Sequence, residues 1–163
     1  MLKIKLASTY AQAIFELARD ADKLDSVERE LLAVTKALDE HEELASLLYH
    51  PRVPTAAKKD TINKVFGAEL SELVRNFILL LIDKRRETSL VGIVREYVAS
   101  ANEARNIIEA VVTTAHPLGD TERGQLVAKL GKVTGKSVIL KPLIDPTIIG
   151  GVVVQVGDKL IDG

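Results

Sequence analysis

The stretch LVGIVREYVASANEARNIIEAVVTTAHP, residues 90–117, changes its period half-way along. Leu90, Ile93, Val94, Tyr97, Val98 and Ala101 recur at steps of three and four, which puts them on one face of a helix. From Ile107 to Ala115 the residues become β-branched and small, a strand composition that Pro117 brings to an end. A helical period in front and a strand behind place a domain boundary at 105/106. Glycine usage agrees, since residues 1–105 hold two of the ten glycines (Gly67 and Gly92) and residues 106–163 hold the rest. The expected fold is α+β, an N-terminal six-helix antiparallel bundle over 1–105 followed by a small α+β domain over 106–163.

Working towards the N-terminus, the same spacing rule predicts five more helices. Leu6, Tyr10, Ala13, Ile14, Leu17, Ala21 and Leu24 form the stripe expected for helix one. Asp25 and Glu28 have capping-box spacing at the start of helix two, whose stripe is Val27, Leu31, Val34 and Leu38. A short third helix around Leu44, Leu47 and Leu48 must end before Pro51, because a residue preceding proline avoids helical geometry. Helix four opens with Pro54 as its first residue and carries Ile62, Val65 and Phe66 up to Gly67. Helix five runs from about Glu69 to Arg86, and short connections between such helices favour a bundle. Towards the C-terminus, Gly119–Val133 reads as a helix with Leu126, Val127 and Leu130 on one side. Val138–Ile144 and Ile148–Val156 read as strands, and Gly157-Asp158 as a tight turn into Lys159-Leu160-Ile161. Gly150-Gly151 inside a strand suggests a bulge or a close backbone approach. A domain of this size is thin for an independent core and is expected to lean on something.

Composition narrows the function. There are 22 Lys+Arg against 23 Asp+Glu, a formal net charge of −1, which gives little hold on a phosphate backbone. Three Tyr, three Phe and no Trp offer few platforms for stacking bases, so nucleic acid is not an expected partner. With no cysteine there is no disulfide, thiolate or Cys-type zinc chemistry. The longest strictly apolar run, Phe77–Ile82, is six residues, against about 20 for a membrane-spanning helix. The first residues, Met1 to Leu6, lack the apolar core of a secretory signal. A mean hydropathy of +0.12 without a span points to surfaces buried against other proteins.

Catalytic patterns are missing. Gly131-Lys132-Val133-Thr134-Gly135-Lys136-Ser137 resembles a phosphate-binding loop, but its glycines are one residue too close and it follows a helix where a phosphate loop precedes one. A nucleotide or phosphotransfer enzyme built on Lys136 and Ser137 is therefore the weaker alternative. His41, His50 and His116 share no ligand spacing, and the acidic run Asp39–Glu43 reads as a solvated turn, so no metal or cofactor is expected. Lys84-Arg85-Arg86 reads as cations opposing the helix dipole, with a membrane-surface role as the alternative.

Surplus apolar surface is what exceeds a plain globular domain. Nine of the thirteen residues from Leu70 to Ile82 are apolar. Leu70, Val74, Phe77 and Leu81 share one face, with Leu79 roughly opposite and Ile82 about a third of a turn away. On helix one, Phe15 points about 180° from the Leu6/Tyr10/Leu17 stripe, flanked by Ala11 and Ala18. A helix apolar on two sides must be covered on two sides, either by its own bundle or by a partner's amphipathic helix.

Two motifs resemble a known family. Tyr10-Ala11-Gln12-Ala13-Ile14-Phe15-Glu16-Leu17-Ala18 is similar to the opening helix of the delta subunit of F-type ATP synthases, called the oligomycin-sensitivity-conferring protein in mitochondria. Val138, Leu140, Ile144, Asp145, Ile148, Gly150-Gly151, Val152, Val154, Gln155, Gly157 and the segment Asp158–Gly163 resemble its C-terminal signature. The resemblance spans essentially the whole chain. It implies a non-catalytic stator without cofactor or metal, on the cytoplasmic face of a bacterial plasma membrane, meeting the membrane only through the complex. The helical domain would hold the N-terminal helix of an alpha subunit of the catalytic head, and the C-terminal domain would meet the b subunits of the peripheral stalk. The family's groove lies between helices one and five, so Tyr10, Ala13 and Leu80 carry over as partner-binding residues. The family pattern continues past the Ile-Asp-Gly segment with a serine and an Arg-rich helix, where this sequence stops at Gly163. If that end is a truncation, the resemblance implies that stalk binding weakens while head binding survives. Gly119 stands where family members often have a capping Thr, a substitution that a helix start tolerates.

Overall fold

The computed structural model describes residues 2–157 and 159–162, so Asp158 of the expected Gly157-Asp158 turn lies outside the described residues. The chain divides into two compact units, Met1–Ala101 and Asn102–Gly163.

The first unit is helical: α1 (Leu2–Asp20), α2 (Leu24–Glu40), α3 (Glu42–Tyr49), α4 (Thr55–Phe66), α5 (Glu72–Asp83) and α6 (Leu90–Ala104), with a 3-10 turn at Glu87–Ser89 leading into α6. The expected stripes of α2 (Val27, Leu31, Val34, Leu38) and α6 (Leu90, Ile93, Val94, Tyr97, Ala101) are buried as read, with Val98 packed at the margin. Helix one departs from its expected stripe, of which only Ile14 is fully buried. Its buried residues are Ala7, Ala11, Ile14, Phe15 and Ala18, while Leu17 is exposed and Leu6 and Tyr10 are half-buried. The alanines allow a close approach to α6, where a Cβ built on Gly92 would stand 3.7 Å from the Ala7 methyl. Phe15 then meets Tyr97 edge-on at 6.3 Å, and the Tyr97 hydroxyl donates to the Leu24 carbonyl at 2.8 Å. Close helix packing rewards small residues, so Leu17 is turned outwards while Ala7, Ala11 and Ala18 are buried with Ile14 and Phe15.

Helix ends depart from expectation in instructive ways. α2 starts at Leu24 with Lys23 at the cap and no side-chain cap bond, leaving Asp25 in the first turn. Pro54 caps α4 instead of opening it. α5 is shorter than the expected 69–86: Ser71 caps it, its Oγ accepting from the Val74 N–H, and the chain turns out after Asp83. There Arg86 N–H donates to the Leu81 carbonyl and Arg85 N–H to the Ile82 carbonyl, with Arg85 at φ +55. The α1–α2 turn repeats this with Asp22, also at φ +55, and with Lys23 N–H donating to Ala18. Both are the paired-bond helix stop that glycine normally announces, made here by other residues.

The second unit is β1 (Ile107–Thr114), α7 (Asp120–Thr134), β2 (Ser137–Ile144), β3 (Val152–Val156) and β4 (Lys159–Asp162). Its sheet runs β2-β1-β3-β4, with β1 and β2 parallel and the other neighbours antiparallel. Ala110, Val112, Val154 and Val156 share one face and form its core with Leu130 of α7. Pro142 falls on the edge strand β2, where a missing N–H is tolerated. β3 is shorter than expected because Gly150 (φ +67) and Gly151 (φ +77) make the turn before it. They form no bulge.

Candidate functional site: the outward faces of the first and fifth helices

Residues at 6, 10, 13 and 17 fall within about 60° of one another around a helix. In α1 these are Leu6, Tyr10, Ala13 and Leu17, and none of them is fully buried. In α5 the corresponding outward strip is Leu73, Asn76 and Leu80, while Val74, Phe77, Ile78, Leu81 and Ile82 fill the core. Each helix thus has an apolar side beyond the one its own bundle covers. The two helices touch where the Tyr10 ring of the α1 strip meets Phe77, a core residue of α5, at 6.5 Å with an interplanar angle of 69°. Ala13 and Leu80 are exposed and Tyr10 is half-buried, so all three candidate contact residues remain reachable from solvent. Polar groups flank the α1 strip, where Gln12 Nε2 donates to Glu16 at 3.0 Å.

The second unit has an uncovered surface of its own. Opposite the α7-covered face, strand pairing aligns Val111 and Val153 with the more exposed Ile139, Leu143 and Leu160. An ion pair, Lys141–Glu109 at 3.4 Å, crosses that face.

The remaining candidates fall apart as sites. Gly131–Ser137 lies at the C-terminal end of α7, where carbonyls point outwards, and Gly135 at φ +71 is the helix stop. A phosphate needs the opposite polarity. His41 and His50 flank α3, with His50 Nδ1 accepting from Arg52 N–H, and His116 stands beyond β1. Among the described residues no group of His, Asp and Glu could hold a metal ion. Lys84, Arg85 and Arg86 are exposed, and Arg85 reaches back to the Pro51 carbonyl at 3.4 Å. The shifted titrations lie away from the strips. Hydrogen bonds from the Thr147 hydroxyl and backbone N–H hold the Asp145 carboxyl below its usual value, burial raises Tyr49, and the Asp60 hydrogen bond raises Lys64. What sequence reading missed is an ion pair in the helical interior, Lys58 of α4 with Glu87 of the 3-10 turn.

Comparison with known proteins decides the family. A family model described as ATP synthase delta (OSCP) subunit matches residues 6–163, which takes in both strips and the whole sheet. The chain belongs to the ATP synthase delta (OSCP) subunit family. A delta subunit of Desulfitobacterium hafniense (strain DSM 10664 / DCB-2) is 45% identical over 163 residues, all of this chain and 91% of the relative. That of Desulforudis audaxviator is 44% identical over all of this chain and 90% of its own length. The delta subunit of Brevibacillus brevis is 38% identical over 94% of this chain and 88% of the relative. Among solved structures, a chain of the Toxoplasma gondii mitochondrial ATP synthase hexamer shares the fold, with a TM-score of 0.71 at 21% identity, covering 96% of this chain and 89% of that one. The delta (OSCP) family is a structural subunit of its complex. No described helix is long and apolar enough to cross a membrane.

Proposed function

We propose that this chain is the non-catalytic stator link of an F-type ATP synthase. Its helical unit receives the N-terminal helix of an alpha subunit in the groove between α1 and α5, with Tyr10, Ala13 and Leu80 as contacts. Its α+β unit meets the b subunits of the peripheral stalk, and the uncovered sheet face of Val111, Ile139 and Leu143 is the surface it offers them. It works on the cytoplasmic face of a bacterial plasma membrane, without cofactor or metal, and touches the membrane only through the complex.

The observation that carries this reading is the pair of apolar strips left open on helices that touch through Tyr10 and Phe77. Resisting rotor torque requires contacts that outlast a turnover. Apolar side chains seated in a groove meet that need better than surface charges, which salt screens within about 8 Å. The chain's net charge of −1 leaves little for charge-driven docking in any case. Isothermal titration with a peptide of the alpha subunit's N-terminal segment tests it. Saturable one-to-one binding is expected, and no binding up to a peptide concentration on the order of 0.1 mM, equivalent to about 5.5 kcal/mol, overturns it.

A further inference from the structure

Lys58 is fully buried, and its ammonium donates to Oε1 of Glu87, whose side chain is only 7% exposed. The other oxygen, Oε2, is buried with no hydrogen-bond partner among the described residues. Such a pair is a poor source of net stability. Both charges lose their hydration, and one carboxylate oxygen gains nothing in return. Apolar side chains of similar volume would serve packing at least as well. What a charged hydrogen bond supplies, and a greasy contact does not, is a fixed distance and direction.

The place of that constraint is informative. The 3-10 turn carrying Glu87 packs against α1, α3 and α5, and Lys58 ties α4 to it as well. The turn therefore touches both helices that bear the outward strips. We propose that the Lys58–Glu87 pair is a positioning lock that sets the spacing of α1 and α5, and with it the width of the groove offered to a partner helix. The proposal rests on the helix-in-groove reading given above.

The test uses the full chain carrying Lys58→Met together with Glu87→Met. The denaturation midpoint is expected to equal or exceed that of the parent. The nuclear Overhauser contacts between the Tyr10 and Phe77 rings should weaken, and affinity for the alpha-subunit peptide should fall about fivefold or more, within the range that coupling through packed elements reaches. A pair that serves stability alone would move only the midpoint. Unchanged ring contacts with affinity within about twofold of the parent overturn the proposal. Should the double variant fail to fold, Glu87→Gln, which keeps the shape and weakens the bond, is measured under folded conditions against the same criteria. If the parent itself does not bind the peptide, the groove reading falls, and the ring contacts alone decide the lock: kept in the variant, they reject it too.

Discussion

Leu80→Asp places a carboxylate in the middle of the outward strip of α5. Leu80 is 44% exposed, so a partner helix would cover less than half of its surface. Burying a whole leucine is worth about 1.5–3 kcal/mol, and the uncovered share corresponds to roughly 1 kcal/mol of binding lost. A carboxylate forced against apolar side chains adds about 1–3 kcal/mol of unrecovered hydration. The sum, about 2–4 kcal/mol, predicts affinity for an alpha-subunit N-terminal peptide roughly 30- to 700-fold weaker than the parent's. Stability should fall by only about 1–2 kcal/mol, the part of Leu80 that the bundle itself covers, so the variant stays folded. Isothermal titration reads the affinity, and urea denaturation reads the fold. Val65→Asp supplies the control: Val65 is 49% exposed on α4, outside both strips, and its variant should bind like the parent. Leu80→Asp binding within twofold of the parent, or Val65→Asp weakened equally, would refute the reasoning.

Three further outcomes follow from named contacts. Tyr97→Phe removes the hydroxyl that serves the Leu24 carbonyl at 2.8 Å from a ring that is fully buried, and should cost about 1–2 kcal/mol in urea denaturation. Arg85→Gly relieves the left-handed residue at the end of α5 and should raise stability by about 0.5–1 kcal/mol despite the lost bond to Pro51, where a lower midpoint would contradict the assigned strain. Asp145 is held below the usual carboxylate range by Thr147, so its contribution is present above the unfolded-state value and disappears as pH falls through the lower, folded-state value. Thr147→Val takes away the hydroxyl bonded at 2.6 Å and should move the Asp145 carboxyl titration upwards by carbon-13 NMR; an unmoved titration would show that the hydroxyl is not the cause.

The change of period near residue 105 was legible because helix and strand burial leave different spacings in the chain itself. The stripes of α2 and α6 were legible for the same reason, each helix having one apolar side. Helix one misled because it has two. The side with Leu6, Tyr10 and Leu17 carries the longer regular stripe, yet the side with Ala7, Ala11, Phe15 and Ala18 is buried together with Ile14, since small residues let α1 lie close to Gly92. That packing leaves Tyr10 half-buried and Ala13 exposed. The stops after α1 and α5 were illegible because Asp22 and Arg85 adopt left-handed geometry without being glycine. Lys58 and Glu87 stand 29 residues apart, and no periodic signal links a charge on one helix to a charge on a distant turn.

By itself, then, the sequence determined the order of helices and strands and the family motifs, all of which are written in neighbouring residues. Only the tertiary structure decided which side of α1 faces inwards and that Tyr10 of its leftover strip touches Phe77 of α5. The reason is physical. Hydrophobicity says that a side chain gains by leaving water, whereas the closeness of approach between whole helices decides which side chains are given the chance.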